Sequence, residues 1–160
     1  MSIERWSTDR RYGLRLEAPI VASLQRFCDE AGDLETGGIL VGRYSTRQDC
    51  ATVTMVVGPP RDSSRGKTWF RRGVSGLAAL LAARWREHRD AYIGEWHYHP
   101  GGPPKASQQD RNQLREIARR ASARCPVPVL LIVARSVEGH VELGAWVVPQ
   151  DGEPLELPDR

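Results

Sequence analysis

Apolar and polar positions recur along this chain with two periods, and their order predicts interleaved strands and helices. Residues 11–17 alternate weakly and predict an opening strand. Ala18-Pro19 then starts a helix, with proline near its first turn; Ile20, Val21, Leu24 and Phe27 form its apolar face and Gly32 ends it. Strands are predicted over 37–44 and 51–57, split by a polar turn at 45–49. Gly58-Pro59-Pro60 breaks the chain, and an arginine-rich loop runs on to Gly73. A second helix is predicted over 74–88, with Leu77, Leu80, Leu81 and Trp85 on its apolar side. Residues 91–99 are rich in aromatic and β-favouring types and read as a strand. A turn of prolines and glycines from Pro100 to Pro104 cannot extend it. A third helix opens at Ser107, with Leu114, Ile117, Ala118 and Ala121 on one face, and strands follow over 127–134 and 141–148. From Pro149 onward, glycine, proline and acidic residues suggest a tail. The fold class this order implies is α/β, a mixed β-sheet flanked by helices, in one domain over 1–148 with a C-terminal tail over 149–160.

Composition narrows the setting. A chain of 160 residues is long enough for one proper core, and 40 % hydrophobic with 27 % charged is ordinary for a soluble globule. No apolar run approaches the ~18–20 residues that span a bilayer, so no membrane partner is expected. The first residues lack the apolar centre of a secretion signal. Cys28, Cys50 and Cys125 stand apart with no CxxC spacing, which fits a reducing, cytoplasmic setting rather than a disulfide framework. The net charge is +3, and two basic clusters stand out. Arg61, Arg65, Lys67, Arg71 and Arg72 surround Trp69 and Phe70; Arg111, Arg115 and Arg119, with Arg120 and Arg124, run up the third helix. Such runs can contact nucleic acid, but they are more often solvated faces, and +3 is small for a phosphate footprint. A nucleic-acid-binding module is therefore a minor alternative, and a grip on a protein substrate the better use of these charges.

The chemistry is concentrated in His97-Tyr98-His99-Pro100, followed by Ser107 and Asp110. On a strand, residues two apart share a face, so His97 and His99 project together, roughly 6–7 Å apart at their Cα atoms. Asp110 arrives from the helix beyond the turn. Two imidazoles and a carboxylate make a three-ligand metal set with one position open, the feature that separates a catalytic from a structural zinc site. Ser107-x-x-Asp110 also reads as a helix cap, with an acid in the first turn. The two readings are compatible, because a cap would hold Asp110 still. Hydrolysis at such a site also needs a carboxylate to move protons. Glu35 stands at the head of the apolar run Thr36-Gly37-Gly38-Ile39-Leu40-Val41-Gly42, whose glycines allow close backbone approach. Glu95 is a rival, since it shares the strand face of the histidines, although its place on the same strand favours a supporting or surface position.

Glu35, the HxHP strand and the Ser107/Asp110 pair together resemble the JAMM (JAB/MPN+) metalloprotease family, whose pattern is an upstream glutamate before a glycine-bearing strand and then H-x-H-x7-S-x2-D. The run from Gly94 to Pro100 is most similar to the stand-alone bacterial JAB branch. The resemblance spans about residues 10 to 148. It implies a cytidine-deaminase-like three-layer architecture and a single JAB/MPN+ peptidase domain. It makes His97, His99 and Asp110 the ligands of Zn2+, Glu35 the general acid/base and Ser107 a donor to the tetrahedral oxyanion. One departure is Tyr98, where the family often has serine; strand alternation turns it away from the ligands, with Trp96. Zinc deaminases share the architecture but use H-x-E with a later P-C-x-x-C, and this chain has no P-C-x-x-C. The implied substrate is an amide bond after the Gly-ended tail of a ubiquitin-like protein, cleaved in precursor maturation or deconjugation, with E1/E2-like operon partners and an antiphage setting. The segment between Val57 and Gly73 is short, so insertions that select chain linkage in some relatives are not expected. An alternative within the family is release of an amino acid or peptide from a sulfur-carrier protein. A non-catalytic interaction module is a further alternative, against which the complete residue set argues.

Overall fold

The computed structural model describes residues 2–120, 125–150 and 152–159. Ten strands and three helices are formed among them. In chain order they are β1 (Ile3–Trp6), β2 (Gly13–Leu16), α1 (Ala18–Ala31), β3 (Thr36–Tyr44), β4 (Cys50–Val56), β5 (Ser64–Arg65) and β6 (Phe70–Arg71). Then follow α2 (Leu77–His88), β7 (Ala91–Tyr98), α3 (Gln108–Arg120), β8 (Val129–Arg135), β9 (Val141–Val147) and β10 (Leu155–Glu156). Eight strands form one sheet in the order β1-β2-β4-β3-β7-β8-β9-β10, and β5 and β6 pair separately as a small hairpin. The sheet is mixed: β2 runs parallel to β4 and β7 parallel to β8, while the other neighbours are antiparallel. Parallel neighbours need a crossover, which α3 supplies between β7 and β8.

Strand alternation sorts the core into two faces. Leu40, Trp96, Tyr98, Leu131 and Val133 pack with Ile20, Leu24 and Cys28 of α1. The intervening residues face the other way: Ile39 and Val41 meet Leu77 of α2, while Leu130 and Ile132 meet Leu114 of α3. The result is helix, sheet, helices: the three-layer α/β arrangement expected. The sheet also curls around α1, so that Arg5 on one edge strand reaches Asp159 beyond the other at 3.2 Å.

Most predicted elements are found, and the differences have local causes. In α1, Ile20 and Leu24 are buried as expected, whereas Val21 stays half-buried and Phe27 lies beside Trp96, with ring centroids 5.5 Å apart. The second helix begins at Leu77 rather than 74. The Asp62 carboxylate accepts the backbone N–H groups of Val74 and Ser75 at 3.1 and 2.9 Å, and Gly76 takes a left-handed φ of 78°. Those residues form a turn, and Val74 is exposed. The strand at Ile3–Trp6 was not expected, nor were the hairpin strands inside the arginine-rich loop. Residues after Pro149 are also more than a tail: Leu155 and Glu156 pair with Val147 and Trp146, and Leu157 is fully buried. Ala121 and Arg124, expected on the third helix, lie outside the described residues. No helix among the described residues is long and apolar enough to cross a membrane. Cys28, Cys50 and Cys125 are free and buried.

Candidate active site

The site forms where β3 begins and β7 ends. These strands pair antiparallel, with Thr36 opposite Tyr98 and Gly37 opposite His97. Position 35 therefore falls beside the end of β7, although far upstream in sequence. Gly37 is suited to its place. A Cβ there would lie 2.4 Å from the Trp96 carbonyl oxygen, 2.8 Å from the Phe70 ring and 3.0 Å from the His97 ring, too close for any side chain. Gly38 is equally confined, with a Cβ only 1.9 Å from the Val57 carbonyl oxygen. Gly37 lets the Phe70 ring close in on His97, and Gly38 lets the Val57 carbonyl close in on β3.

His97 is buried at the end of β7, and half-buried His99 follows, its backbone N–H bonding the Val133 carbonyl at 2.9 Å. Beyond the Pro/Gly turn, Ser107 caps α3. Its hydroxyl accepts the Asp110 N–H at 3.1 Å, and Asp110 Oδ2 accepts the Ser107 N–H at 2.8 Å, a reciprocal cap. The Ser107 hydroxyl also donates to Asp110 Oδ2 at 2.8 Å. Asp110 Oδ1 lies 2.9 Å from His97 Nδ1, and Oδ2 lies 3.5 Å from His99 Nε2. The capping reading and the metal-set reading thus describe the same carboxylate.

One ligand atom from each of His97, His99 and Asp110 falls within 4.8 Å of the others. Two ligand atoms on one tetrahedral ion, each ~2.0–2.2 Å from it, stand roughly 3.3–3.6 Å apart. The 3.5 Å between Asp110 Oδ2 and His99 Nε2 lies in that range, while the 2.9 Å between Asp110 Oδ1 and His97 Nδ1 is a hydrogen-bond distance. Two imidazoles and a carboxylate suit a borderline divalent transition metal. The residues present therefore fit a metal ion.

Electrostatics agree with a site that concentrates charge. Burial alone would raise Asp110, but hydrogen bonds from His97 and Ser107 outweigh it and hold its carboxyl down at about 2. Burial lowers His99, with Asp110 opposing and His97 assisting, so its ring favours the neutral form that binds metal. Glu35 is pushed up by burial, while the His97 charge pulls it down and the Asp110 charge pushes it further up. A half-buried carboxyl with a raised pKa is suited to taking up and returning a proton.

Glu35, His97, His99, Ser107 and Asp110 line one cavity of about 570 Å³. Its outer wall is the β5–β6 hairpin, from Lys67 to Phe70, with the Phe70 ring edge-on to His97 at 5.8 Å between centroids. A larger cavity of about 820 Å³ lies between α2 and α3 and shares Gln113 with the first. It is the more apolar of the two and lacks the histidines, so the chemistry belongs to the smaller one. Sequence reasoning had picked out the basic cluster around Trp69 and Phe70 but gave no sign that this segment folds over the histidines. Glu95 is not a surface residue: it is buried and ion-paired with Arg72.

Residues 17–148 match the family described as prokaryotic homologs of the JAB domain. The chain belongs to the prokaryotic JAB family. Among curated relatives of this JAB protein is a "CD-NTase/cGAS isopeptidase" of Enterobacter hormaechei subsp. hoffmannii, 38 % identical over 146 residues, covering 91 % of this chain and 81 % of that one. Another is "Probable metalloprotease y4qB" of Sinorhizobium fredii, 28 % identical over 131 residues, 80 % of this chain and 79 % of that one. Two solution structures share the JAB protein's fold. That of a Desulfitobacterium hafniense protein has a TM-score of 0.59 at 20 % identity, covering 88 % of this chain and 87 % of that one. That of a Salinibacter ruber protein has a TM-score of 0.54 at 18 % identity, covering 90 % and 88 %. The expected JAB membership and three-layer fold are therefore found.

Proposed function

We propose that this JAB protein is a zinc-dependent isopeptidase that hydrolyses the amide bond after the Gly-ended tail of a ubiquitin-like protein. The observation that carries the reading is the meeting of His97, His99 and Asp110 with a half-buried Glu35 in one cavity. The relative named as a CD-NTase/cGAS isopeptidase supports a protein substrate in a CD-NTase/cGAS-associated pathway. The relative named as a probable metalloprotease supports a metal.

His97, His99 and Asp110 would hold the ion. Bound there, zinc supplies Lewis-acid polarisation of the scissile carbonyl and acidification of water. Glu35 accepts the proton of the attacking water and passes it to the departing amine; its raised pKa makes the return as feasible as the uptake. Phe70 and Trp69 border the cavity and give the tail an apolar surface beside the site. Ser107 gives its one hydroxyl proton to Asp110 Oδ2, so we assign it first to holding the carboxylate; stabilising an oxyanion would need that same proton. An extended tail adds beside the site as a strand would, and terminal glycines pass a narrow entrance where side chains do not. Maturation of a precursor and removal from a conjugate use the same bond cleavage.

The test is metal removal and return. Chelator-stripped protein should lose cleavage of a Gly-Gly-tailed ubiquitin-like fusion and regain it with about one zinc per chain. Full cleavage by protein shown to be metal-free would overturn the proposal.

A further inference from the structure

Glu95 takes no part in the chemistry proposed above, yet it is 1 % exposed and stands two positions before His97 on β7. Its carboxylate accepts Arg72 Nε at 3.1 and 2.8 Å and the Tyr92 hydroxyl at 3.0 Å, while Arg72 Nη1 donates to the Gly73 carbonyl at 2.8 Å. Tyr92 and Glu95 are three apart and would face opposite sides of a regular strand. The register shift in the β3–β7 pairing at Leu40/Val41 places an extra residue in β7 and brings both to one side.

Stability gives little reason for this arrangement. Burying an ion pair costs desolvation, and apolar residues of similar volume often replace such pairs without loss. Its location gives a better reason. Arg72 directly follows β6, the second strand of the hairpin that walls the site. Each hairpin strand has two residues, too few to hold a position unaided. The hairpin meets the site through the Glu35 N–H, which donates to the Gly66 carbonyl at 2.9 Å, and through Phe70 against His97. The Arg72–Glu95 pair fastens its outgoing end to β7, the strand that carries His97 and leads directly into His99.

We infer that the buried Arg72–Glu95 pair is a positioning device that fixes the β5–β6 hairpin over the active site, setting the grip on the substrate tail rather than the chemistry. Its kinetic consequence rests on the isopeptidase reading; its structural consequence does not. Two variants test it: the double Arg72→Met/Glu95→Leu, which replaces the pair with apolar volume, and Arg72→Lys, which keeps the charge but loses the guanidinium fork. Amide hydrogen exchange across residues 64–72 should quicken by about tenfold in the double variant and less in Arg72→Lys, with exchange in β7 and β8 unchanged. With the zinc-loaded protein and a Gly-Gly-tailed ubiquitin-like fusion, KM should rise by about tenfold while kcat stays within about threefold. Wild-type exchange over 64–72 in a folded double variant would overturn the inference. So would a fall in kcat at unchanged KM. Should the double variant fail to fold, Arg72→Lys decides by the same two readings. A wild-type protein that cleaves no such fusion removes the substrate reading, while the exchange measurement still decides the anchoring.

Discussion

Ser107→Ala tests the double use of one side chain. The Ser107 hydroxyl accepts the Asp110 N–H at 3.1 Å, a capping bond of ~1 kcal/mol within a range of about 0.5–2. It also donates to Asp110 Oδ2 at 2.8 Å, and hydrogen bonds to charged groups contribute ~1.5–3 kcal/mol. Ser107 is exposed, so water replaces part of the second term, and Asp110 keeps the Ser107 N–H and His97. The net cost to the metal-free protein should be about 2 kcal/mol, read as a shift in urea midpoint or a Tm lower by roughly 4–8 °C. The pH dependence carries a second signature. The Asp110 carboxyl sits at about 2 against an ordinary 3.8, so its contribution is fully present above 3.8 and lost as pH falls through about 2. Removing the hydroxyl should raise the folded value and shrink that window. Zinc affinity should fall by about tenfold or more, as it does when an outer partner of a ligand is lost, and Ser107→Thr should restore most of it. A destabilised protein with wild-type zinc affinity would reduce Ser107 to a helix cap. Unchanged stability and affinity together would refute the reasoning outright.

Because burial lifts Glu35 above the carboxyl value of 4.5, and the ionised form is the one that accepts a proton, activity should rise with pH through a limb lying above 4.5. A kcat/KM profile with its acid limb at or below that value would contradict the burial. Leu157 is fully buried and its N–H bonds the Ala145 carbonyl at 2.8 Å, so Leu157→Ala should cost ~2–5 kcal/mol by calorimetry or denaturant titration. A cost under about 1 kcal/mol would mean that the last residues contribute little to the core.

The site was legible in sequence because its parts are local. His97 and His99 share a face through strand alternation alone, and Ser107 fixes Asp110 through contacts three residues apart. Glu35 was legible by its place before a glycine-bearing strand, but only the β3–β7 register explains how it reaches the end of β7. What stayed hidden depends on distant pairing. Ile3–Trp6 has no clean alternation and carries the buried Arg5, whose Asp159 partner lies near the other end of the chain. Leu155–Glu156 is too short to show a period and becomes a strand only because β9 offers an edge. Glu95 was placed on the correct face of β7, yet its burial follows from Arg72 reaching back across a hairpin whose strands are two residues long. The start of α2 was hidden for a similar reason: the Asp62 side chain claims the backbone of Val74 and Ser75 for a turn.

The central claim is that Glu35 moves protons at a metal centre it does not hold. Glu35→Gln keeps the size and loses the charge, so metal content and turnover should be measured on one sample. Glu35→Gln should hold about one zinc per chain, as in the wild type, with kcat on a Gly-Gly-tailed ubiquitin-like fusion lower by about 10²–10⁴. Glu35→Gln protein that holds its zinc and still cleaves at the wild-type rate would contradict the claim.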